Sequence, residues 1–180
     1  FMQKGRLVVL GTGIMLCAHI TPVAKSHLQA ADVVFAAVTD AITEQWLQTM
    51  HHDVRSFAPL YELGKSRHET YQQMIDLMLT EVRAGKFVVG AFYGHPGVFA
   101  YAPHKVIELA RQEGYEAQML AGISAADCLH ADLGIEIAQP VAVFGQPGAD
   151  AAERRTGAQL RRAGRAAAHA SGRERPRHRL

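Results

Sequence analysis

Three tyrosines and one arginine are the side chains in this sequence best suited to move a proton or to stabilise a developing charge. Arg67 lies four residues before Tyr71, so a helix would place both side chains on one face. A guanidinium is a permanent cation, and a phenol beside it is expected to have a lowered pKa and to accept a proton. Tyr61 precedes this segment, and Tyr93 ends an apolar run. A structural interpretation stays open, in which Tyr71 is a core aromatic residue and Arg67 a solvated one.

Glycine-rich turns follow two of the apolar runs. Residues 87–93 read as a strand buried on both faces, and Gly94-His95-Pro96-Gly97 follows with little side-chain bulk, so a flat ligand could lie on bare backbone. A tight connection without a ligand is the alternative. Gly11-Thr12-Gly13 follows the first apolar run, but Leu16 stands where a dinucleotide motif needs its third glycine. The sequence therefore argues against a nicotinamide site.

The histidines and cysteines do not form a metal-ligand pattern. Cys17 and Cys128 are far apart, so we expect buried thiols in a reducing compartment, and therefore a cytoplasmic protein. No apolar run is long enough to span a bilayer, and no charged leader precedes Gly5, so we expect no membrane partner. We predict no metal site and mostly surface positions for eight scattered histidines, which are His19, His27, His51, His52, His68, His95, His104 and His130.

Strands and helices alternate along the chain, which predicts an α/β fold with a mostly parallel sheet and helices on both faces. The best-signalled helix lies between Ser66 and Gly85, with a capping box of Ser66 and Glu69 and an apolar stripe from Tyr71 to Val82. The predicted strands cover residues 6–10, 33–38, 54–57, 87–93 and 115–120. The other predicted helices cover residues 22–32, the segment that Asp40 caps, residues 103–113, and residues 125–134, which Ser124 caps.

Composition changes sharply in the last quarter of the chain. Residues 1–144 hold ten basic and fourteen acidic side chains, a balance of −4, and predict no nucleic-acid partner, whereas residues 145–180 hold nine arginines and three acids, a balance of +6. We expect one domain over residues 5–136 and an unstructured, low-complexity tail over 137–180. The tail could be a basic nucleic-acid-binding segment, an Ala/Arg helix, or a frame-shifted, non-native continuation, and we favour the third interpretation.

Three of these segments together carry a resemblance to a known family. Gly11-Thr12-Gly13 before Thr21-Pro22, then Tyr93-Gly94-His95-Pro96-Gly97-Val98-Phe99, then Gly122-Ile123-Ser124, resemble the successive signatures of the S-adenosylmethionine-dependent tetrapyrrole methylases. The resemblance covers the amino-terminal domain of that family. Two departures are Ala121, where the family usually has Pro, and a second domain that is absent or replaced by the Arg-rich tail.

A narrower resemblance concerns residues 61–74 and the loop that follows Tyr93. Both are similar to the borosin-type peptide backbone N-methyltransferases, in which matching Tyr and Arg residues line the reaction chamber, and Gly-His-Pro in place of Gly-Asp-Pro again favours that branch. The resemblance implies a peptide substrate, which could be a separate precursor chain, and a homodimer. The residues it implies are Tyr61, Arg67, Tyr71 and Tyr93 for catalysis, and Gly11, Gly13, Tyr93, His95, Val98, Phe99, Ala100 and Ser124 for S-adenosylmethionine.

Two other functions remain open at the level of sequence. One is a methylase of the same family that acts on carbon centres of a porphyrinoid precursor, for which the Tyr61, Arg67 and Tyr71 group has no evident use. The other is a truncated, catalytically incompetent chain that acts as a binding or pairing module. The peptide sequence and the number of methylations cannot be read from these residues.

Overall fold

The computed structural model describes residues 4–134 of the chain. These residues contain one sheet of five parallel strands in the order β3-β2-β4-β1-β5, as the alternating pattern predicted. The predicted tail over residues 137–180 lies outside the described residues, as do the last two residues of the predicted domain. The strands are β1 (Arg6–Gly11), β2 (Val33–Ala37), β3 (Val54–Ser56), β4 (Phe87–Phe92) and β5 (Glu116–Leu120).

Helices cover both faces of the sheet because successive residues of each buried strand point to opposite sides. In β1, Leu7 and Val9 pack in one core cluster, which includes the apolar stripe of α3 and residues of α4, whereas Val8 and Leu10 pack in a second cluster with residues of α1 and α2. The fold class predicted from the sequence is confirmed. The helices are α1 (Pro22–Ala30), α2 (Ala41–Met50), α3 (Arg67–Arg83), α4 (Ala102–Gln112) and α5 (Ala125–Leu133).

Side-chain caps fix where four of these helices begin. Thr21, Asp40 and Ser66 each accept a hydrogen bond from a backbone N–H in the first turn, at 3.1, 2.8 and 3.1 Å. Only half of the predicted capping box forms at Ser66. Among the hydrogen bonds of the described residues, none joins the Ser66 N–H to the Glu69 side chain. The complete box is at Ser124 and Asp127.

Two expectations about single residues are corrected by the fold. The thiols were expected to be buried, but Cys17 is exposed in a left-handed turn with φ of 61°, and Cys128 is half-buried on α5. His51 is an exception to the predicted surface histidines. It is buried, and its Nε2 donates to the Ala31 carbonyl at 2.9 Å while its Nδ1 accepts from the Asp53 N–H at 3.1 Å.

Two further features bear on function. Among residues 4–134, no cluster of His, Cys, Asp and Glu side chains has the geometry to hold a metal ion. In the same part of the chain, no helix combines the length and the apolar character that crossing a bilayer requires. In open sheets of parallel strands, ligands commonly bind outside the carboxyl ends of the strands, where the strands end in loops.

Candidate functional site

The glycine-rich turns that follow β1, β4 and β5 meet at the carboxyl edge of the sheet. Gly13 and Gly94 exchange backbone hydrogen bonds, with the Gly13 N–H donating to Gly94 at 3.1 Å and the Gly94 N–H donating to Gly13 at 3.0 Å. Gly122, which follows β5, packs against the same two turns. We call these four residues, Gly11, Gly13, Gly94 and Gly122, the glycine clasp.

Backbone packs directly on backbone in the glycine clasp. A Cβ atom added at Gly11 would lie 2.2 Å from the Gly94 carbonyl oxygen, and one added at Gly122 would lie 2.5 Å from that oxygen. Neither distance is possible without moving the main chain, because the obstructing atom is not the end of a flexible side chain. The sequence could suggest only that these turns are tight. The structure adds that two of the three loops hold each other with no room for any side chain.

Two histidines fix the loop that follows Gly94. The His95 Nδ1 accepts from the Gly97 N–H at 2.9 Å, and the His104 Nε2 donates to the Gly97 carbonyl oxygen at 3.0 Å. Val98 closes the turn by donating its N–H to the His95 carbonyl at 3.1 Å. Phe99 then takes up a left-handed conformation with φ of 53° and is fully exposed. A large apolar side chain held in a sparsely allowed conformation and left in water indicates a surface that meets a ligand or a partner.

Ser124 is buried and serves as the cap of α5. Its hydroxyl and its N–H both donate to the Asp127 carboxylate at 2.7 Å, and its Oγ accepts from the Asp127 N–H at 3.2 Å. These hydrogen bonds hold the pKa of Asp127 below its ordinary value of 3.8. The polar groups of Ser124 are therefore engaged within the protein, and its predicted contact with the cofactor stays a prediction.

A second region, which we call the aromatic chamber, lies beside the clasp. It is a cavity of about 140 Å³ between α3, α4 and the ends of β2 and β4. Tyr93 joins the two regions, because it directly precedes Gly94 of the clasp and its N–H donates to the Ala37 carbonyl at 3.0 Å. The residues that line the chamber are Ala37, Tyr61, Tyr71, Met74, Phe92, Tyr93, Phe99, Ala100, Tyr101, Ala102 and Pro103.

The structure thus brings three of the four predicted catalytic residues, Tyr61, Tyr71 and Tyr93, to one cavity. Arg67 is not in its wall. It is the exposed first residue of α3, and no carboxylate of the described residues lies within ion-pair distance of it. A cation at the amino end of a helix is repelled by the helix dipole, so helix stability does not explain its presence. Arg67 acts on the chamber through charge, since it pulls the pKa of Tyr61 downward.

The expectation of a lowered pKa is wrong for Tyr61. Burial of part of its ring raises the pKa, the neighbouring Tyr71 raises it further, and the opposing effect of Arg67 is smaller than the two together. The phenol therefore stays protonated at neutral pH and is able to donate a hydrogen bond.

Some residues of the site were missed in the sequence. Tyr101 lines the chamber, and His104 supports the loop at Gly97, yet neither belongs to a recognisable motif. The only signal for Tyr101 is its position directly before α4, where a residue with a short polar side chain would have been expected. A wider groove of about 480 Å³ lies along α4 beside β5, but none of the predicted site residues lines it.

Comparison with known proteins agrees with this architecture. The chain is 48% identical over 138 residues to a protein of Dendrothele bispora described as a methyltransferase and ribosomally synthesised cyclic peptide dendrothelin A precursor, covering 77% of this chain and 33% of that protein. It is 46% identical over 138 residues to the corresponding omphalotin A precursor of Omphalotus olearius, again covering 77% and 33%. These relatives confirm the resemblance to the borosin type. The chain spans about one third of their length.

Solved structures of porphyrinoid methylases share the fold. A uroporphyrin-III C-methyltransferase from Thermus thermophilus matches with a TM-score of 0.54 and 19% identity, covering 74% of this chain and 54% of that one. The cobalt precorrin-4 methyltransferase matches with a TM-score of 0.52 and 26% identity, covering 73% and 52%. A family model for tetrapyrrole (corrin/porphyrin) methylases matches residues 6–178. The chain described here therefore belongs to the tetrapyrrole methylase family.

Proposed function

We propose that this chain is the catalytic domain of an S-adenosylmethionine-dependent methyltransferase that methylates backbone amide nitrogens of a ribosomally made peptide. The observation that carries the proposal is the position of the aromatic chamber, whose tyrosines directly adjoin the glycine clasp through Tyr93 and Gly94. The relatives from Dendrothele bispora and Omphalotus olearius, which combine a methyltransferase with a peptide precursor, support the choice of substrate.

The loops at the clasp suit a cofactor with a flat base and a sulfonium group. Gly11 and Gly13 would act by letting the turns after β1 and β4 pack closely together, and the His95 loop presents Val98 and Phe99 as exposed apolar surface that an adenine ring would bury. Ala100 and Tyr93 both line the chamber. In this proposal they would lie beside the methyl group and the substrate. Ser124 would contribute through the turn between β5 and α5, the helix that it caps. Bound there, the cofactor supplies an electrophilic methyl group and a neutral thioether leaving group.

The residues of the chamber supply what a backbone amide lacks as a nucleophile. Transfer of a methyl group to the amide nitrogen would require the amide proton to leave, and a group of the protein would have to accept it. Tyr71 is placed to take that proton. Arg67 stabilises negative charge that develops on the amide oxygen, and the protonated hydroxyl of Tyr61 can donate a hydrogen bond to the same oxygen. Tyr93 aligns the two reacting atoms at the boundary between clasp and chamber.

We further propose that the peptide, which can be part of the same polypeptide or a separate precursor chain, is the main partner and that the active form is a homodimer. Exposed apolar residues such as Leu63 offer surface for such contacts. Both described cysteines are free, which is compatible with a reducing compartment and with a cytoplasmic location. Sedimentation of the full-length protein tests the dimer, and a monomer that remains active contradicts it.

The proposed function is tested with the full-length protein, S-adenosylmethionine, an apolar peptide and, in parallel, a porphyrinoid precursor. We expect mass spectrometry to find added methyl groups on backbone nitrogens of the peptide and none on the porphyrinoid. Tyr71→Phe should lower the rate by about 100-fold or more, because it removes the proton acceptor. Methylation of the porphyrinoid alone would assign the chain to the ring-carbon methylases. A protein that binds the cofactor and methylates neither substrate would be a binding module.

A further inference from the structure

Tyr101 occupies a position that the stability of its own helix does not explain. It directly precedes α4, with φ of −85° and ψ of −51°, and its side chain makes no capping hydrogen bond. The residues that favour this position are Ser, Thr, Asp and Asn, whose side chains cap the helix and stabilise it. The side chain is 46% exposed, so burial in the core does not explain it either. The reason for a tyrosine at this position must lie in what its ring contacts.

The ring of Tyr101 packs against two residues at the start of α3. Its centroid lies 6.3 Å from that of Tyr71, with 35° between the ring planes, and 5.9 Å from that of His68, with 48°. Both distances fall in the range of favourable aromatic pairs. His68 and Tyr71 are three residues apart on one face of the helix, so a single ring can contact both. Tyr101 and Tyr71 also line the same cavity.

Tyr71 packs at the edge of the core, where its ring is only partly enclosed. It lies at the end of the buried stripe of α3 and is only half-buried, whereas Met74, which follows one turn later, is fully packed in the core. Among the described residues, the aromatic ring that pairs with that of Tyr71 is the ring of Tyr101, directly before α4. Tyr101 in turn pairs with the ring of His68.

We infer that Tyr101 is a positioning residue that holds the Tyr71 ring in place for proton removal, and that its contact with His68 supports it. The inference deepens the proposed function and rests on it. The contact is one of ring against ring, so the aromatic ring of Tyr101 carries the effect and its hydroxyl is dispensable. A displacement of Tyr71 by a fraction of its ring width disturbs alignment, and misplacement by about 1 Å can cost a factor of about 100 in rate.

Two substitutions in the full-length protein separate the ring from the hydroxyl. We expect Tyr101→Leu to lower kcat for peptide methylation by about 10- to 100-fold, with KM for the peptide changed less than about threefold. Tyr101→Phe should keep kcat within about threefold of the wild type, because it keeps the ring. His68→Ala should have an intermediate effect. His52→Ala is the matched control, since His52 is also exposed and also packs on an aromatic ring, that of His51, and it should leave kcat unchanged.

Three results would overturn the inference. A wild-type kcat in Tyr101→Leu would do so, as would a raised KM with unchanged kcat, which would make Tyr101 a peptide contact. An equal loss of kcat in Tyr101→Phe and Tyr101→Leu would assign the effect to the hydroxyl. Affinity for S-adenosylhomocysteine should stay within about twofold in every variant, which separates positioning from collapse of the site.

A readout that needs no turnover separates this inference from the proposed function. The aromatic NMR signals of Tyr71, assigned by their loss in Tyr71→Phe, should shift in Tyr101→Leu because the neighbouring ring current is removed, and should shift less in Tyr101→Phe. Unchanged Tyr71 signals in Tyr101→Leu would overturn the inference even in an active enzyme. A wild-type protein that methylates no peptide would overturn the proposed function, whatever the signals of Tyr71.

Discussion

The glycine clasp and the aromatic chamber lie side by side, but the clasp is built from main-chain atoms and the chamber from side chains. In the clasp, main-chain atoms pack on each other so closely that a single methyl group at Gly11 or Gly122 cannot be accommodated. In the chamber, the walls are large side chains, and Tyr61, Tyr93 and Tyr101 are between 40% and 54% exposed. The clasp is thus a rigid part of the sheet edge, whereas the chamber is held by ring contacts between two helices.

This difference suggests that the clasp and the chamber bind different kinds of ligand. A binding site made from backbone suits a ligand that is the same in every turnover. The shape of such a site cannot change without disrupting the edge of the sheet. A chamber made from side chains on α3, α4 and the loops suits a substrate whose sequence varies. Substitutions in the clasp should therefore abolish cofactor binding together with stability, whereas substitutions around the chamber should lower turnover and leave both intact.

The largest expected effect is that of Gly11→Ala. The added Cβ would lie 2.2 Å from the Gly94 carbonyl oxygen, so the β1 and β4 turns must separate. We expect a loss of about 3 kcal/mol in the free energy of unfolding and no measurable binding of S-adenosylhomocysteine, by urea titration and calorimetry. The control is Gly64→Ala, where no atom lies within 4 Å and only the left-handed backbone costs about 1 kcal/mol. Normal binding by Gly11→Ala would show that the clasp can open without cost.

The substitution Arg67→Met tests whether a change near the chamber lowers turnover without changing stability or cofactor affinity. We expect methylation of the peptide to slow by about 100-fold, because the charge that stabilises the developing oxyanion is lost, while the melting temperature and the affinity for S-adenosylhomocysteine stay the same. Arg83→Met at the opposite end of α3 is the matched control. Arg83 is exposed and pairs with Glu113, so its loss should change the rate less than twofold. Equal rates in the two variants would remove Arg67 from the mechanism.

His104→Ala should produce a smaller effect, confined to cofactor affinity. The substitution removes the hydrogen bond to the Gly97 carbonyl, worth about 1 kcal/mol, so the affinity for S-adenosylhomocysteine should fall about fivefold by calorimetry. His27→Ala provides the comparison, because its ring also hydrogen-bonds a backbone carbonyl, that of Val23, but on α1. An unchanged affinity in His104→Ala would mean that His95 alone orders this loop.

The smallest expected effect is on the pH dependence of the stability of the fold. Hydrogen bonds from Ser124 lower the pKa of Asp127, and those from Thr43 lower the pKa of Asp40. A carboxylate whose pKa is lower in the folded state stabilises the fold above its ordinary pKa, 3.8 here, and this stabilisation is lost as pH falls through the folded-state value. We therefore expect the urea midpoint to fall as pH is lowered below about 4. Asp127→Asn should flatten this fall, and an identical pH profile would contradict the role of the α5 cap.

The sequence predicts the clasp better than the chamber for a physical reason. Strands, helix caps and tight glycine turns depend on neighbouring residues, and for this reason the order of elements and the caps at Thr21, Asp40 and Ser124 could be predicted. Tyr101 could not, because its contacts with Tyr71 and His68 join residues some thirty positions apart through the packing of two helices. Proximity to Arg67 likewise predicted a lowered pKa for Tyr61, but burial, which depends on the fold, reverses the direction.

The most direct test of the account is a calorimetric titration with S-adenosylhomocysteine, performed on the wild-type protein and on Tyr71→Phe. The account predicts saturable binding at a single site in each chain, with the same affinity in both proteins, together with loss of peptide methylation in the variant. Binding by the wild type that is lost in Tyr71→Phe would contradict the separation of clasp and chamber. A folded wild-type protein that does not bind S-adenosylhomocysteine would contradict the proposed cofactor site itself.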